Sequence, residues 1–354
     1  MHDYINRMRR QAADVAEKKD VRILAIETSC DETAGAVVQN GRSILSNVIH
    51  SQVEAHRVYG GVVPEIASRA HVEVLDQVIE KTLLEAGIKS FDDMDAVAVT
   101  AGPGLVGALL AGVSYAKGLA FALDKPLVAV NHIEAHICAN YLTHADLEPP
   151  FICLVASGGH SHLYHVQDYD QYRLLGCTQD DAAGEAFDKS ARVLGLPYPG
   201  GPNLDVLAET GSDAACPLPR ARVEGKYDFS FSGIKTAFIN LVHAAEQKGQ
   251  SLNKADLAAS FRRAVVDQLL EKTMLAAADI GEKAVAVAGG VSANRLLRHA
   301  MQQACMEQQH RLYLPELALC GDNAAMVGAA AYHVLKAGAV AGLQLNAQPS
   351  LRMI

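Results

Sequence analysis

The run Val21-Arg22-Ile23-Leu24-Ala25-Ile26-Glu27-Thr28-Ser29-Cys30-Asp31-Glu32-Thr33-Ala34-Gly35-Ala36-Val37-Val38 decides how the rest of the chain is read. An apolar stretch, Val21 to Ile26, ends in a polar loop, and a second β-like stretch follows from Ala34 to Val38. Asn40-Gly41 is a hairpin turn signal leading into Ser43 to Val48. The plan is strand, polar loop, strand, turn, strand. It recurs at Phe151 to Ala156, where Ser157-Gly158-Gly159-His160 is the loop, with strands at Ser161 to Val166 and near Tyr172 to Leu175. Each meander is followed by helical material and then by strand, glycine loop, helix and strand. In the first half these are Asp95 to Thr100, Gly102 to Gly107, a helix to about Leu123, and Pro126 to Val130. In the second they are Ala284 to Ala288, Gly289 to Asn294, a helix from Arg295, and Arg311 to Leu314. This repetition predicts a duplicated α/β architecture of two lobes around a cleft.

Working outward, 354 residues suit two domains of this kind. The expected division is an extension over 1–20, a first lobe over 21–150 plus 320–354, and a second lobe over 151–319. The second lobe carries an insertion of about 201–260, and Asp256 to Ala277 reads as an amphipathic helix with Leu257, Phe261, Val265 and Leu269 at i+4 steps. An apolar fraction of 50% with 20% charged residues excludes a disordered chain. The sequence has no uninterrupted apolar run of membrane-spanning length, and residues 1–19 lack the apolar core of a secretory signal. Seven scattered cysteines without a CxxC pair fit a reducing cytoplasm. A net charge of −9 means that a polyanion must be met by local basic patches or by a partner's charge. The densest basic candidates are Arg220, Arg222, Lys226 and Lys235, with Arg262 and Arg263.

Several constellations carry chemistry. On a helix, His132 and His136 would lie at i and i+4 and project two imidazoles together, as a metal requires. Spacing alone favours two ordinary, partly exposed histidines. An acid would complete such a site, and Asp322 in Cys320-Gly321-Asp322-Asn323 is the candidate, although spacing alone favours a helix N-cap there and the two roles need not exclude each other. Gly102 to Gly107 formally matches GxGxxG, but no acid follows the next strand, so tight strand–helix packing is the stronger reading. Ser157-Gly158-Gly159 and Gly289 to Asn294 let backbone N–H groups approach an anion, and Asn294 is placed to bond an adenine or ribose. Asp188 suits a ribose contact or a surface pair with Lys189. Glu27, Asp31 and Glu32 cluster in the first loop, where Asp31 would position reacting groups if a phosphate and a metal face it. Residues 65–86 read as a helix with apolar positions over a wide arc, which predicts burial on two sides and a homo- or heterodimer contact.

The layout resembles the actin-like ATPase fold of sugar kinases and the Hsp70 nucleotide-binding domain. The motifs narrow this further. Ile26 to Thr33, Gly60-Gly61-Val62-Val63-Pro64-Glu65, both glycine loops, His132-Ile133-Glu134-Ala135-His136, Asp181 to Lys189, Phe229 to Lys235 and Gly321-Asp322-Asn323 together resemble the TsaD family, bacterial and organellar branch. The resemblance covers about Val21 to Leu335; residues 1–20 depart from it.

The resemblance implies an enzyme that transfers the threonylcarbamoyl group of threonylcarbamoyl-AMP to N6 of the adenosine 3′ of the anticodon, in tRNAs reading codons that begin with A. It implies metal ligation by His132, His136 and Asp322, with iron(II) as the usual metal and zinc also seen. It implies adenylate contacts from Val155, Ala156, Ser157, Gly158, Gly159, Asp188, Gly201, Asp205 and Asn294. Implied partners are an actin-like TsaB homologue and the ATPase TsaE. A small-molecule kinase of the same fold and a non-catalytic scaffold are the alternatives; the two histidines and Asp322 argue against the scaffold.

Overall fold

Strand order follows from which runs are apolar on both faces. In the computed structural model, which describes residues 2–220 and 223–353, β1 (Arg22–Glu27) is buried from Ile23 onward. It pairs antiparallel with β2 (Glu32–Gln39), which pairs antiparallel with β3 (Ser43–Ser51). α2 (Val53–Arg57) and α3 (Pro64–Glu85) follow, and β4 (Ala96–Gly102), buried at every position, returns parallel to β1. After α4 (Val106–Leu123), β5 (Leu127–Asn131) completes a sheet of order β3-β2-β1-β4-β5. β1, β4 and β5 run parallel and are mostly buried, as parallel strands need cover on both faces, while β3, the outer strand of the meander, is the exposed edge.

α5 (His132–Thr143) ends this run, and the same pattern starts again with β6 (Phe151–Ala156), β7 (Ser161–Asp168) and β8 (Gln171–Cys177). α6 (Ala183–Val193), α7 (Gly200–Ala208), α8 (Ser232–Gln247) and α9 (Lys254–Ile280) precede β9 (Ala284–Ala288). After α10 (Arg295–Glu307), β10 (Arg311–Tyr313) gives the order β10-β9-β6-β7-β8, the first sheet's topology repeated. α11 (Ala324–Lys336) then rejoins the first sheet. The contacts divide the chain into residues 1–147 with 321–354, and residues 148–320.

Two elements add to the expectations. Residues 1–20 contain a docked helix, α1 (His2–Ala16), with Met8 and Ala12 fully buried. It packs on α11, and Arg7 pairs with Asp124 at 2.6 Å. Three apolar positions one and two turns apart (Met8, Ala12, Val15) suffice to seat it. α4 has a mean hydropathy of 1.6 and is by length and composition apolar enough to cross a membrane, despite Lys117. Its Ala108, Leu109, Val113, Ala116 and Ala120 are buried in the first unit's core.

The glycines of Gly102 to Gly107 serve packing. A Cβ on Gly104 would stand 2.6 Å from the Ser29 carbonyl oxygen, and one on Gly107 2.2 Å from the Ser68 hydroxyl. They let the β4–α4 turn approach the first polar loop and let α4 cross α3.

Candidate functional site

β5 ends at Asn131, whose side chain accepts the N–H of Ile133 at 2.9 Å and caps α5. The cap starts the helix at His132, so His132 and His136 fall one turn apart on one face. Their ring centroids are 4.6 Å apart, edge to face. α11 supplies the third member. Its small residues, Ala324, Ala325, Gly328, Ala329 and Ala331, are buried, and they allow it to pack against α5, β1 and β2. Asn323 caps it, accepting the Met326 N–H at 3.0 Å. The capping role therefore belongs to Asn323, and Asp322 is released to turn toward α5.

Asp322 Oδ1 lies 3.2 Å from His136 Nε2 and 3.5 Å from His132 Nε2. One ligand atom from each of the three residues falls within 4.8 Å of the others. His136 is fully buried, and neither of its ring nitrogens makes a hydrogen bond. A buried imidazole costs free energy unless something takes its lone pair. Two imidazoles and a carboxylate are a donor set for iron(II) or zinc, so these residues fit a divalent metal.

The electrostatics around them call for positive charge. Asp31, Glu32 and Asp322 converge: burial, then Asp322 and Asp31, push the Glu32 carboxyl up to about 9. Burial, followed by Asp31 and Asp322, also drives the Cys30 thiol strongly upward, which removes it as a nucleophile. Burial opposes a charge on His132, but Asp322 and Glu27 outweigh it and raise it to about 9. Glu27 is separated from the other two acids of its loop. It is wholly buried at the end of β1, behind His132, and burial opposes its ionisation while His132 holds it below the usual carboxylate range.

In the second unit, Gly158, Asp188, Gly201, Asp205 and Asn294 line one cavity of about 440 Å³ with Phe187, Val206, Val291 and Arg295. That volume suits a nucleotide-sized ligand. Asp188 Oδ1 accepts the N–H groups of Gly200 and Gly201 at 2.8 and 3.0 Å, fixing the start of α7. Asp205 is held by Arg262 at 2.8 Å, by the Asn294 amide at 2.9 Å and by the Arg295 N–H at 3.2 Å. Asn294 also caps α10, through the Leu297 N–H at 3.0 Å. Asp205 and Asn294 thus brace each other in the cavity wall. Val155 and Ala156 are fully buried strand residues outside this lining, Ser157 spends its N–H on His160 at 2.8 Å, and Gly159 lies outside it too.

A family model described as "TsaD: tRNA N6-adenosine threonylcarbamoyltransferase" matches residues 43–329. A protein of that name from Clostridium perfringens (strain SM101 / Type A) is 52% identical over 332 residues, covering 94% of this chain and 98% of its own. The chain belongs to the TsaD family. Its activity is the transfer of a threonylcarbamoyl group to N6 of adenosine in tRNA. A second relative of that name, from Clostridium botulinum (strain Kyoto / Type A2), is 51% identical and is covered over 99% of its length, against 95% of this chain. Among solved structures, HypF from T. kodakarensis superposes with a TM-score of 0.60 at 17% identity, over 90% of this chain and 48% of that one. Component A of the (R)-2-hydroxyglutaryl-CoA dehydratase from Acidaminococcus fermentans gives 0.53 at 16%, over 89% and 99%. These likenesses are of fold, the duplicated actin-like ATPase architecture.

Of the basic residues expected to meet a polyanion, Arg262 and Lys235 are withdrawn from the surface, and the others pair with separate carboxylates where they are described. Arg262 is 8% exposed and is paired with Asp205 and Glu209. Lys235 is bound to Asp181, Arg263 to Asp213 at 2.8 Å, and Lys226 to Asp279 at 2.8 Å. Arg220 is exposed beside Glu271 at 3.8 Å, and Arg222 lies outside the described residues. Sequence proximity gathered these cations, but folding distributes them to separate carboxylates.

One network escaped the sequence reading. His71, fully buried on α3, sits 2.7 Å from the Thr33 hydroxyl and 3.4 Å from Gln52 Nε2, and Gln52 Oε1 lies 3.3 Å from His56 Nε2. The Gln52 N–H donates to the Asp31 carbonyl at 3.0 Å. The signal was present: His71 lies at i+4 from Ala67 and i−4 from Leu75, on the helix's buried face.

Proposed function

We propose that this chain takes threonylcarbamoyl-AMP as donor and acts on the adenosine 3′ of the anticodon, in tRNAs reading codons that begin with A, with metal assistance. The observation that carries the metal reading is the convergence of His132, His136 and Asp322, two of them buried, with an imidazole that makes no hydrogen bond. Those three residues would hold iron(II), or zinc in its place. A bound divalent ion supplies Lewis acidity toward a carbonyl or phosphate oxygen as charge develops there.

The remaining work belongs to the chain's own groups. The cavity lined by Gly158, Asp188, Gly201, Asp205 and Asn294 would seat the adenylate, with Gly158 offering close backbone approach. Asp31, 6% exposed on the loop between β1 and β2, would position the reacting groups. The leaving group is AMP, so no covalent enzyme intermediate is required, which agrees with the suppressed thiol of Cys30. The partner we propose is an actin-like homologue of the TsaB type, docking on the groove between α3 and α4. Val72, 73% exposed, and Leu110, 40% exposed, line that groove. The reaction would take place in the cytoplasm.

The test is nucleoside mass spectrometry of tRNA incubated with the protein, threonylcarbamoyl-AMP and the partner, alongside metal analysis of His132→Ala and Asp322→Ala. Each variant should lose bound metal and product while keeping a near-native melting curve. Unchanged metal stoichiometry in both would overturn the ligand assignment, and unmodified adenosine with the wild type would overturn the choice of donor.

A further inference from the structure

Glu27 poses a physical problem. It is 0% exposed, and a buried carboxylate is costly unless it is fully bonded. β1 runs parallel to β4, pairing Ile26 with Val99, so Glu27 and Thr100 end up side by side at the strand ends. One carboxylate oxygen, Oε1, accepts the Ser29 N–H at 2.5 Å. The other, Oε2, accepts the Thr100 hydroxyl at 2.6 Å and lies 3.2 Å from His132 Nδ1. The Ser29 hydroxyl is a second neighbour of that nitrogen, also at 3.2 Å.

We propose that Glu27 is a positioning residue that sets the tautomer of His132 and so presents the Nε2 lone pair to a bound divalent metal. The inference rests on the metal reading above. An ionised carboxylate can only accept, so the ring nitrogen facing it, Nδ1, carries the hydrogen. In the neutral ring the lone pair then resides on Nε2, the atom that faces Asp322 Oδ1 at 3.5 Å. Such an acceptor behind a ligating imidazole fixes ring orientation and increases ligand basicity.

Glu27→Gln keeps the shape of the side chain and exchanges one carboxylate oxygen for an amide nitrogen. The backbone N–H of Ser29 can only donate, so the amide oxygen of Gln must stay toward it. The amide nitrogen then faces His132 Nδ1 as a donor, while the Thr100 hydroxyl can turn to accept. A donor at that place favours the lone pair on Nδ1 and the hydrogen on Nε2, which blocks the metal-facing atom. One atom exchanged, a single hydrogen bond away from the ligand ring, should reverse its tautomer.

The experiment measures zinc affinity of the full chain by competition with a chromogenic chelator, for wild type, Glu27→Gln and His132→Ala. Histidine ¹⁵N spectra of the zinc-loaded wild type are recorded alongside. We expect Glu27→Gln to melt close to wild type but bind zinc about 10- to 100-fold more weakly. The zinc-loaded wild type should show His132 protonated at Nδ1 and coordinated through Nε2. Wild-type zinc affinity in a folded Glu27→Gln protein, or His132 coordinated through Nδ1, overturns the inference alone. If Glu27→Gln does not fold, the wild-type spectrum decides. A wild type that binds no zinc, or undiminished zinc in His132→Ala, refutes the metal reading and the inference with it.

Discussion

His71 Nε2 stands 2.9 Å from the carbonyl oxygen of Cys30. The helix that carries the exposed Val72 therefore also grips, from its buried face, the loop that carries Asp31. The ring's other nitrogen is bonded to Thr33, so both ends of the imidazole are engaged across one loop. Replacing His71 by Ala leaves the Cys30 carbonyl and the Thr33 hydroxyl short of a partner in a buried place. The expected loss is about 1–3 kcal/mol of stability, with transfer activity falling further than the residual fold would explain. Urea denaturation and a transfer assay at a temperature where the variant is fully folded separate the two effects. Full activity there would show that the loop holds itself.

The groove between α3 and α4 gives a sharper test of docking than the helix as a whole. The expectation of a wide apolar arc on 65–86 is refined by burial: Leu75, Val78, Ile79 and Leu83 face the core, while Val72 and Leu84 face outward. Val72→Glu and Leu110→Glu should separate the partner and leave monomer stability within about 0.5 kcal/mol. Light scattering after size exclusion, with and without the partner, reads the outcome. Intact association in both variants would move the interface elsewhere.

Charge changes in the former basic patch should split into two behaviours. Arg262 is buried between Asp205 and Glu209, so Arg262→Ala leaves uncompensated charge and should cost about 3–5 kcal/mol. Arg263 is 39% exposed at its side chain, and its pairs with Asp213 and Asp267 are worth at most about 1 kcal/mol. Thermal melts of the two single variants check this. Equal stabilities would mean that the Asp205 bracing of the cavity does not depend on Arg262.

Acid should weaken the fold through buried neutral histidines. Burial, with Arg42 adding to it, pushes His333 down to about 4. An unfolded histidine titrates near 6.5, so between those values the unfolded chain binds a proton that the folded one refuses. The stability is complete above about pH 6.5 and is lost as pH falls toward 4, by at most about 3 kcal/mol before allowing for partial solvent access. His71 and His162, also held down chiefly by burial, act in the same direction. Denaturation midpoints from pH 7 to 4 should fall, and His333→Gln should flatten that slope. An unchanged slope would place the acid sensitivity in other groups.

Local patterns account for much of this molecule. The apolar run before Glu27, the Asn40-Gly41 turn and the repeat from Phe151 specify strand, loop and meander, because side-chain alternation and turn chemistry act within a few residues. The i, i+4 placement of His132 and His136 needed only that α5 be helical, which Asn131 as a cap arranges. The repeated order of strands predicted two sheets of one topology, and both have it.

What local pattern could not supply was which distant groups meet. Asp322 was ambiguous between cap and ligand until the small residues of α11 brought it to α5 and Asn323 took the cap. Glu27, Asp31 and Glu32 looked like one acidic cluster, but the end of β1 buries the first behind His132 and leaves the other two with Asp322. Arg262 and Lys235 looked like free cations, and long-range packing gave them carboxylates. The physical reason is common to all three. A charge's role is set by desolvation and by the partner within a few ångströms, and at these sites that partner lies tens to hundreds of residues away along the chain.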